Sequence, residues 1–236
     1  MFDPKKFTIP TAKPLPVVLL LDVSGSMSGD KIDNLNKAVK DMLNTFAEEE
    51  KMETEILVSV VTFGSQVELH LPYTKASQVE WSPLLADGMT PMGAALQMAK
   101  AMIEDKETTP SRAYRPTVVL VSDGQPNDSW ERPLDQFITE GRSSKCDRMA
   151  MAIGRDANET VLKCFIKGTP HELFYAENAG QIHEFFQRVT MSVTMRTQSK
   201  NPNVVPAPSE IKLDGGSAKS AVTGNTTASS DDEGYY

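Results

Sequence analysis

Residues 16–29 read PVVLLLDVSGSMSG, and this stretch decides the fold class. Its first six residues form a continuous apolar run, which predicts a strand buried on both faces of a sheet. The run ends at Asp22, and Ser24 and Ser26 follow at alternate positions with Gly25 between them. Oxygen side chains directly after a buried strand are unusual unless they bind something, so this turn is the first candidate for a functional site.

Strands and helices alternate outward from this turn. The connection at 64–66 is too short for a crossover, so it predicts a hairpin with an antiparallel edge strand. The chain is therefore predicted to be an α/β protein with a doubly wound, mostly parallel open sheet and helices on both faces. The predicted strands are 16–22, 55–64, 67–71, 116–123, 147–154 and 172–176, and the predicted helices are 31–50, the segment after DGMTPMG, 128–141, 158–166 and 178–194.

The composition divides the chain into three parts. Residues 1–14 contain three prolines and are predicted to be an N-terminal arm, and residues 15–197 form the α/β domain. Residues 198–236 are rich in Ser, Thr, Gly and Pro without periodicity, which predicts a disordered acidic tail. The tail is either a solvated end or a segment that a kinase phosphorylates and a phosphopeptide-binding protein then binds. Its candidate phosphorylation sites are Thr226, Thr227, Ser229 and Ser230.

Charge and hydropathy exclude several classes of partner. The net charge of −8 argues against a nucleic-acid partner held through its phosphates. No apolar stretch is long enough for a membrane span, and no signal-peptide pattern precedes the domain. Cys146 and Cys164 lack the spacing of metal ligands. We therefore expect a cytoplasmic protein with reduced thiols.

Five oxygen side chains are predicted to meet at one rim of the sheet. Asp123 ends the apolar strand 116–123 as Asp22 ends the first strand, and Thr90 precedes a helix. If the two strands are neighbours where the winding reverses, both carboxylates lie at the same rim. Two carboxylates offset a divalent charge, and three hydroxyls add ligands without charge. The predicted metal ligands are Asp22, Ser24, Ser26, Thr90 and Asp123, with Mg²⁺ expected and Mn²⁺ or Ca²⁺ open.

The stretch D22-V-S24-G-S26, Thr90 in TPMG and Asp123 in SDG together resemble the metal-ion-dependent adhesion site of von Willebrand factor A domains. The resemblance covers residues 15–195. It implies direct ligation by the three hydroxyls, and ligation by the aspartates directly or through water. It also implies a protein partner whose Asp or Glu completes the ion's coordination shell.

More narrowly, PVVLLLDVSGSMSGDKIDNLNKAV and VVLVSDGQPNDSW are similar to intracellular bacterial A-domain proteins of the TerY type. That resemblance implies a role in tellurium resistance or another stress response, near protein kinases and phosphatases. Some relatives of this type carry a cysteine-rich metal-binding extension, which this sequence lacks. The resemblance to the adhesion site implies a binding module rather than an enzyme.

Two enzyme classes compete with this interpretation. The order Ser24, Asp123, then His171 or His183 mimics the triad of an α/β-hydrolase, but the G-x-S-x-G elbow is missing. His171 precedes its strand and is predicted at the rim opposite Ser24. A dehalogenase-type phosphatase needs Asp-x-Asp, and position 24 is serine.

Thr90 and several residues near the five oxygens could have a structural role instead of a role in binding. Thr90 with Pro91 is a good cap for the following helix. Asp87 is a possible rival oxygen or a solvated loop residue. Asn127 and Asp128 are predicted to be helix-cap residues, with lining of the ligand rim as the alternative. In this prediction Asp128 opens the helix 128–141, and Glu131 completes a capping box. The methionines either pack into the core or form an apolar collar around a partner's carboxylate; they are Met27, Met89 and Met92.

Overall fold

The computed structural model describes residues 12–49, 54–211 and 213. The strands are β1 (Lys13–Asp22), β2 (Thr54–Phe63), β3 (Val67–Lys75), β4 (Thr117–Ser122), β5 (Asp147–Ile153) and β6 (Phe174–Ala176). The main helices are α1 (Asp30–Glu49), α2 (Met92–Glu104), α3 (Glu131–Thr139), α4 (Glu159–Phe165) and α5 (Ala179–Gln198).

The strands form one six-stranded sheet in the order β3-β2-β1-β4-β5-β6. All neighbouring strands run parallel except β2 and β3, which pair antiparallel. The chain winds outward from β1 in one direction, then returns to β4 and winds in the other. This confirms the predicted fold class and places the reversal between β1 and β4.

The central strand β1 serves two apolar layers because successive side chains point to opposite faces. Val17, Leu19 and Leu21 pack in the layer that contains α1 and α5. Val18 and Leu20 pack in the layer that contains α2, α3 and α4. All five are fully buried, which explains why this strand reads as an unbroken apolar run.

Several predicted boundaries differ from the structure. β1 begins at Lys13 rather than at 16, inside the predicted N-terminal arm, β3 ends at Lys75 rather than at 71, and β6 begins at Phe174 rather than at 172. The third helix begins at Glu131 rather than at Asp128, for a reason given below. Residues after 197 contact the preceding part of the chain, since Arg196 Nε donates to the carbonyl oxygen of Pro202 at 2.7 Å. Arg115 N likewise donates to Asn203 Oδ1 at 2.8 Å. The candidate phosphorylation sites and most of the N-terminal arm lie outside the described residues.

None of the helices in the described part of the chain combines the length and apolar character that crossing a bilayer requires.

Candidate metal centre

The two predicted carboxylates meet at one rim of the sheet. Asp22 is the last residue of β1, and Asp123 directly follows β4. These strands are parallel neighbours, with Leu21 opposite Val121. Because the carboxyl ends of parallel strands share a rim, the reversal of winding brings together two acids that lie far apart in sequence.

A chain of hydrogen bonds joins the two carboxylates through the serines. Asp22 Oδ1 accepts from Ser24 N at 2.9 Å, the two serine hydroxyl oxygens lie 3.0 Å apart, and Ser26 Oγ donates to Asp123 Oδ1 at 2.7 Å. The other oxygen of Asp22 accepts from the Ser122 hydroxyl at 2.6 Å. Four of the five predicted ligands therefore form one connected cluster.

Thr90 reaches the same space from a separate loop. A β-carbon added at Gly124 would lie 3.5 Å from Thr90 Oγ1 and 3.8 Å from Ser26 Oγ, so the two hydroxyls flank the same small space. Asn127 forms hydrogen bonds with both the backbone N and the backbone O of Thr90. Its Oδ1 accepts from Thr90 N at 2.9 Å, and its N donates to Thr90 O at 3.1 Å.

Asp128 caps α2 instead of opening α3, so the predicted capping box with Glu131 is wrong. Its carboxylate oxygens accept from Gly93 N at 2.9 Å and Ala94 N at 2.8 Å, at the start of α2. The chain approaches this point so closely that a β-carbon at Gly93 would lie 2.7 Å from Ser129 O. Because Asp128 accepts hydrogen bonds from the backbone N–H groups in the first turn of α2, the Thr90 hydroxyl is not needed as the cap of this helix.

The loop that carries Thr90 is fastened to the β1 turn by backbone bonds. Gly25 N donates to Gly88 O at 3.0 Å, and Asp87 N donates to Val23 O at 2.7 Å. The side chain of Asp87 accepts from Ser65 Oγ at 2.5 Å. Asp87 therefore serves the loop, and this favours the structural alternative for it over a rival ligand.

The cluster carries buried negative charge. Asp22 is 0% exposed and Asp123 is 1% exposed. Burial raises the pKa of Asp22; hydrogen bonds from Ser122 and Ser24 oppose that shift, and the nearby Asp123 adds to it. Lys31 Nζ lies 2.5 Å from Asp123 Oδ2. One ammonium against two carboxylates leaves a net charge of −1 when both acids are ionised.

The donor set fits a hard divalent cation. It offers carboxylate and hydroxyl oxygens, which suit Mg²⁺, Ca²⁺ and Mn²⁺ better than soft metals. Within the residues that the structure describes, no three His, Cys, Asp or Glu side chains form a cluster of the metal-binding kind. An ion here would therefore depend on the three hydroxyls as well as on the two acids, and the residual negative charge would favour its entry.

The three methionines have separate environments. Met27 and Met92 are fully buried and belong to the core, so the collar interpretation is wrong for them. Met89 is 63% exposed, and its sulfur accepts from Asn127 Nδ2 at 3.6 Å. Met89 alone is available as an apolar contact beside the site.

The hydrolase alternative is contradicted by the positions of the histidines. His171 Nε2 lies 2.8 Å from Oδ1 of Asp147, the first residue of β5, at the rim opposite Ser24. His183 on α5 faces Asp41 of α1 at 3.7 Å. The chain's third histidine, His70, packs edge-to-face against Trp81. No Ser24–His pair is therefore assembled.

Two contributors to the cluster, Ser122 and Lys31, were missed in the sequence. Ser122 is a hydroxyl residue in an apolar strand next to Asp123, which is a usable signal. Lys31 lies in the first turn of a helix, where the helix dipole disfavours a cation. That misplaced charge was the second signal. Asn127 was predicted as a helix-cap residue or a residue lining the rim, but its bond to Thr90, 37 positions away, has no local signal.

We expect Asn127→Ala to weaken binding of a divalent ion about tenfold, as removal of a residue that orients a ligand usually does. The free energy of unfolding should fall by about 1 kcal/mol, because Thr90 N loses its acceptor. Asn178→Ala is the matched control, since Asn178 caps α5 through Gln181 N at 3.1 Å. It should cost similar stability without changing the affinity measured by calorimetry. Equal affinity for the two variants would contradict this role of Asn127.

Comparisons with known proteins agree with this architecture. The family model for the von Willebrand factor type A domain matches residues 17–188. The collagen alpha-1(VI) chain of Gallus gallus is 24% identical over 175 residues, which cover 70% of this chain and 17% of that protein.

Solved structures show the same fold. A von Willebrand factor type A protein from Catenulispora acidiphila superposes with a TM-score of 0.60 at 21% identity, covering 78% of this chain and 43% of that one. Proximal thread matrix protein 1 from the mussel byssus, with a zinc-occupied MIDAS motif, has a TM-score of 0.59 at 15% identity, covering 76% of this chain and 48% of that one. The chain thus spans less than half of each of these proteins. Since the family model covers most of its length, the chain belongs to the von Willebrand factor type A domain family.

Proposed function

We propose that the chain is a non-enzymatic binding module that holds a divalent cation and docks an acidic residue of a partner protein on it. The observation that carries the proposal is the hydrogen-bonded cluster of two buried carboxylates and two serine hydroxyls, with a third hydroxyl facing the same space. The proposed ligands are Asp22, Ser24, Ser26, Thr90 and Asp123. Mg²⁺ is the proposed ion because all five donors are hard oxygens.

The charge of the site supports an anionic partner. With Lys31 and both carboxylates ionised, the ion-free site carries −1, and a divalent ion brings two positive charges to it. Such a site repels a partner's Asp or Glu before the ion binds and attracts it afterwards. Mg²⁺ keeps several waters in its shell, and an incoming carboxylate can displace one of them.

Met89 supports a more specific description of the partner. An exposed methionine next to Thr90 offers an adaptable apolar contact beside the ion. We propose that the partner's acidic residue is accompanied by an apolar side chain that packs on Met89. The sulfur contact with Asn127 keeps Met89 close to the loop that orients Thr90.

The cellular setting is proposed from the resemblance to TerY-type proteins. It is a bacterial stress-response or tellurium-resistance system in the cytoplasm, with a Ser/Thr kinase, a phosphatase or a phosphopeptide-binding protein acting on the tail. Both cysteines are free thiols, which supports a reducing compartment.

The test is affinity capture with the full chain as bait, in Mg²⁺ and in EDTA. Asp22→Asn serves as a bait that lacks one acid of the cluster. We expect one or more proteins to be retained by the wild-type chain in Mg²⁺ and lost in EDTA and with Asp22→Asn. A retained set that is identical under all three conditions would overturn the proposal.

A further inference from the structure

Lys31 places a positive charge inside the candidate metal centre. Its Nζ lies 2.5 Å from Asp123 Oδ2 and 3.2 Å from the backbone oxygen of Ser26. The lysine side chain is 38% exposed, whereas that of Asp123 is fully buried. The ammonium therefore lies between solvent and the buried carboxylate.

The position of this lysine is explained by Asp123 and not by the helix. Lys31 is the second residue of α1, where the partial positive charge of the helix terminus disfavours a cation. Asp30 and Asp33 in the same turn are the residues that suit this terminus. The short contact with Asp123 offsets this unfavourable placement. Among the described residues, no other cationic side chain forms a salt bridge with Asp123.

The chain's own groups occupy both oxygens of Asp123. Oδ1 accepts from the Ser26 hydroxyl at 2.7 Å, and Oδ2 accepts from Lys31. A divalent ion that uses this carboxylate must compete with the ammonium. The lysine can leave without disturbing the fold, because its stem is flexible and partly solvent-exposed. A β-carbon at Gly154 would lie 3.9 Å from Lys31 Nζ, so the side chain has space on that side.

We propose that Lys31 is an internal cation of the metal centre, which neutralises Asp123 in the ion-free protein and is displaced from Oδ2 when a divalent ion binds. This inference rests on the proposed function and adds a property to the same site. The ammonium stabilises the ion-free protein by pairing with Asp123. It also lowers the affinity for divalent ions, because displacing it costs free energy. Removing the charge should therefore have opposite effects on the ion-free and the ion-bound protein.

The test compares Lys31→Met with wild type after removal of metal by EDTA and dialysis. Calorimetric titration with Mg²⁺ or Mn²⁺ alone should show at least tenfold tighter binding by Lys31→Met. In EDTA the same variant should melt at a lower temperature than wild type, and Mg²⁺ should raise its melting temperature more than that of wild type. Lys40→Met, on the exposed side of α1, is the matched control and should change neither property.

A second variant keeps the test decisive if Lys31→Met does not fold without metal. Lys31→Gln retains a hydrogen-bond donor without the charge, and it should also bind the ion more tightly than wild type. Equal or weaker binding by these variants, with clear uptake by wild type, would overturn this inference and leave the proposed function intact. The absence of uptake by wild type and by both variants would overturn the proposed function and this inference together.

Discussion

Asp22→Asn is expected to weaken binding of a divalent ion at least about 100-fold, which corresponds to about 2.8 kcal/mol. The substitution removes one of two negative charges that face the ion. It preserves the local hydrogen bonds: the amide oxygen can accept from Ser24 N as Asp22 Oδ1 does. The amide nitrogen can donate to the Ser122 hydroxyl, which has two lone pairs. Calorimetric titration with Mg²⁺ measures the loss.

The same variant should be at least as stable as wild type when no metal is present. Burial raises the pKa of Asp22, so the folded protein disfavours the ionised form relative to the unfolded chain. Ionised Asp22 therefore costs stability above its folded pKa, and the cost disappears as the pH falls below the unfolded value near 3.8. In EDTA, the advantage of Asp22→Asn in melting temperature should shrink between neutral pH and pH 4.

Saturating Mg²⁺ should reverse the order of stability. A ligand that binds only the folded chain raises its stability in proportion to the logarithm of its concentration, and the variant loses this gain. Asp135→Asn, an exposed aspartate of α3, is the matched control and should follow wild type in every condition. Unchanged Mg²⁺ affinity in Asp22→Asn would show that this carboxylate is not a ligand.

Arg196→Met should lower the free energy of unfolding by about 3 kcal/mol, or roughly 6–12 °C in melting temperature. Arg196 is fully buried, and its guanidinium donates to Pro202 O at 2.7 Å, Thr117 Oγ1 at 2.6 Å and the carbonyl oxygen of Arg115. Burial lowers its pKa to about 10, so it remains charged at neutral pH. Methionine would leave these three acceptors without a partner, and thermal melting measures the cost.

Arg188→Met is the control on the same helix. Arg188 is partly exposed and pairs with Glu184 one turn away, a type of pair that contributes little. It should change stability by less than about 0.5 kcal/mol. Neither variant should change Mg²⁺ affinity, because Thr117 begins β4 at the end of the sheet opposite the metal centre. A melting temperature for Arg196→Met within 2 °C of the control, roughly the effect of 1 kcal/mol or less, would contradict the role assigned to Arg196.

The predictions that held depend on periodicity and on a general property of parallel sheets. The apolar run before Asp22 and the alternation of elements were sufficient to predict the sheet. The rule that ligands bind where winding reverses then indicated that Asp22 and Asp123 belong to one rim. That inference required the two strands to be neighbours, which the sequence leaves open and the strand order of the structure shows.

The predictions that failed concern partners distant in sequence. Asp128 followed by Glu131 has the local pattern of a capping box, yet Asp128 caps a helix that begins before it in the chain. The buried bonds of Arg196, which reach back to Arg115 and forward to Pro202, were likewise not predicted. Local propensity carries no information on such contacts, because the tertiary approach that creates them is absent from any short window.

The bond between Ser26 and Asp123 closes 97 residues of chain. The proposed pocket for an ion therefore exists only when β4 is docked beside β1, so an ion that recognises it binds the folded chain and not the unfolded one. If β4 docks on β1 after the folding transition state, such an ion stabilises contacts that the transition state lacks. Its kinetic effect would be to slow unfolding, with little acceleration of folding.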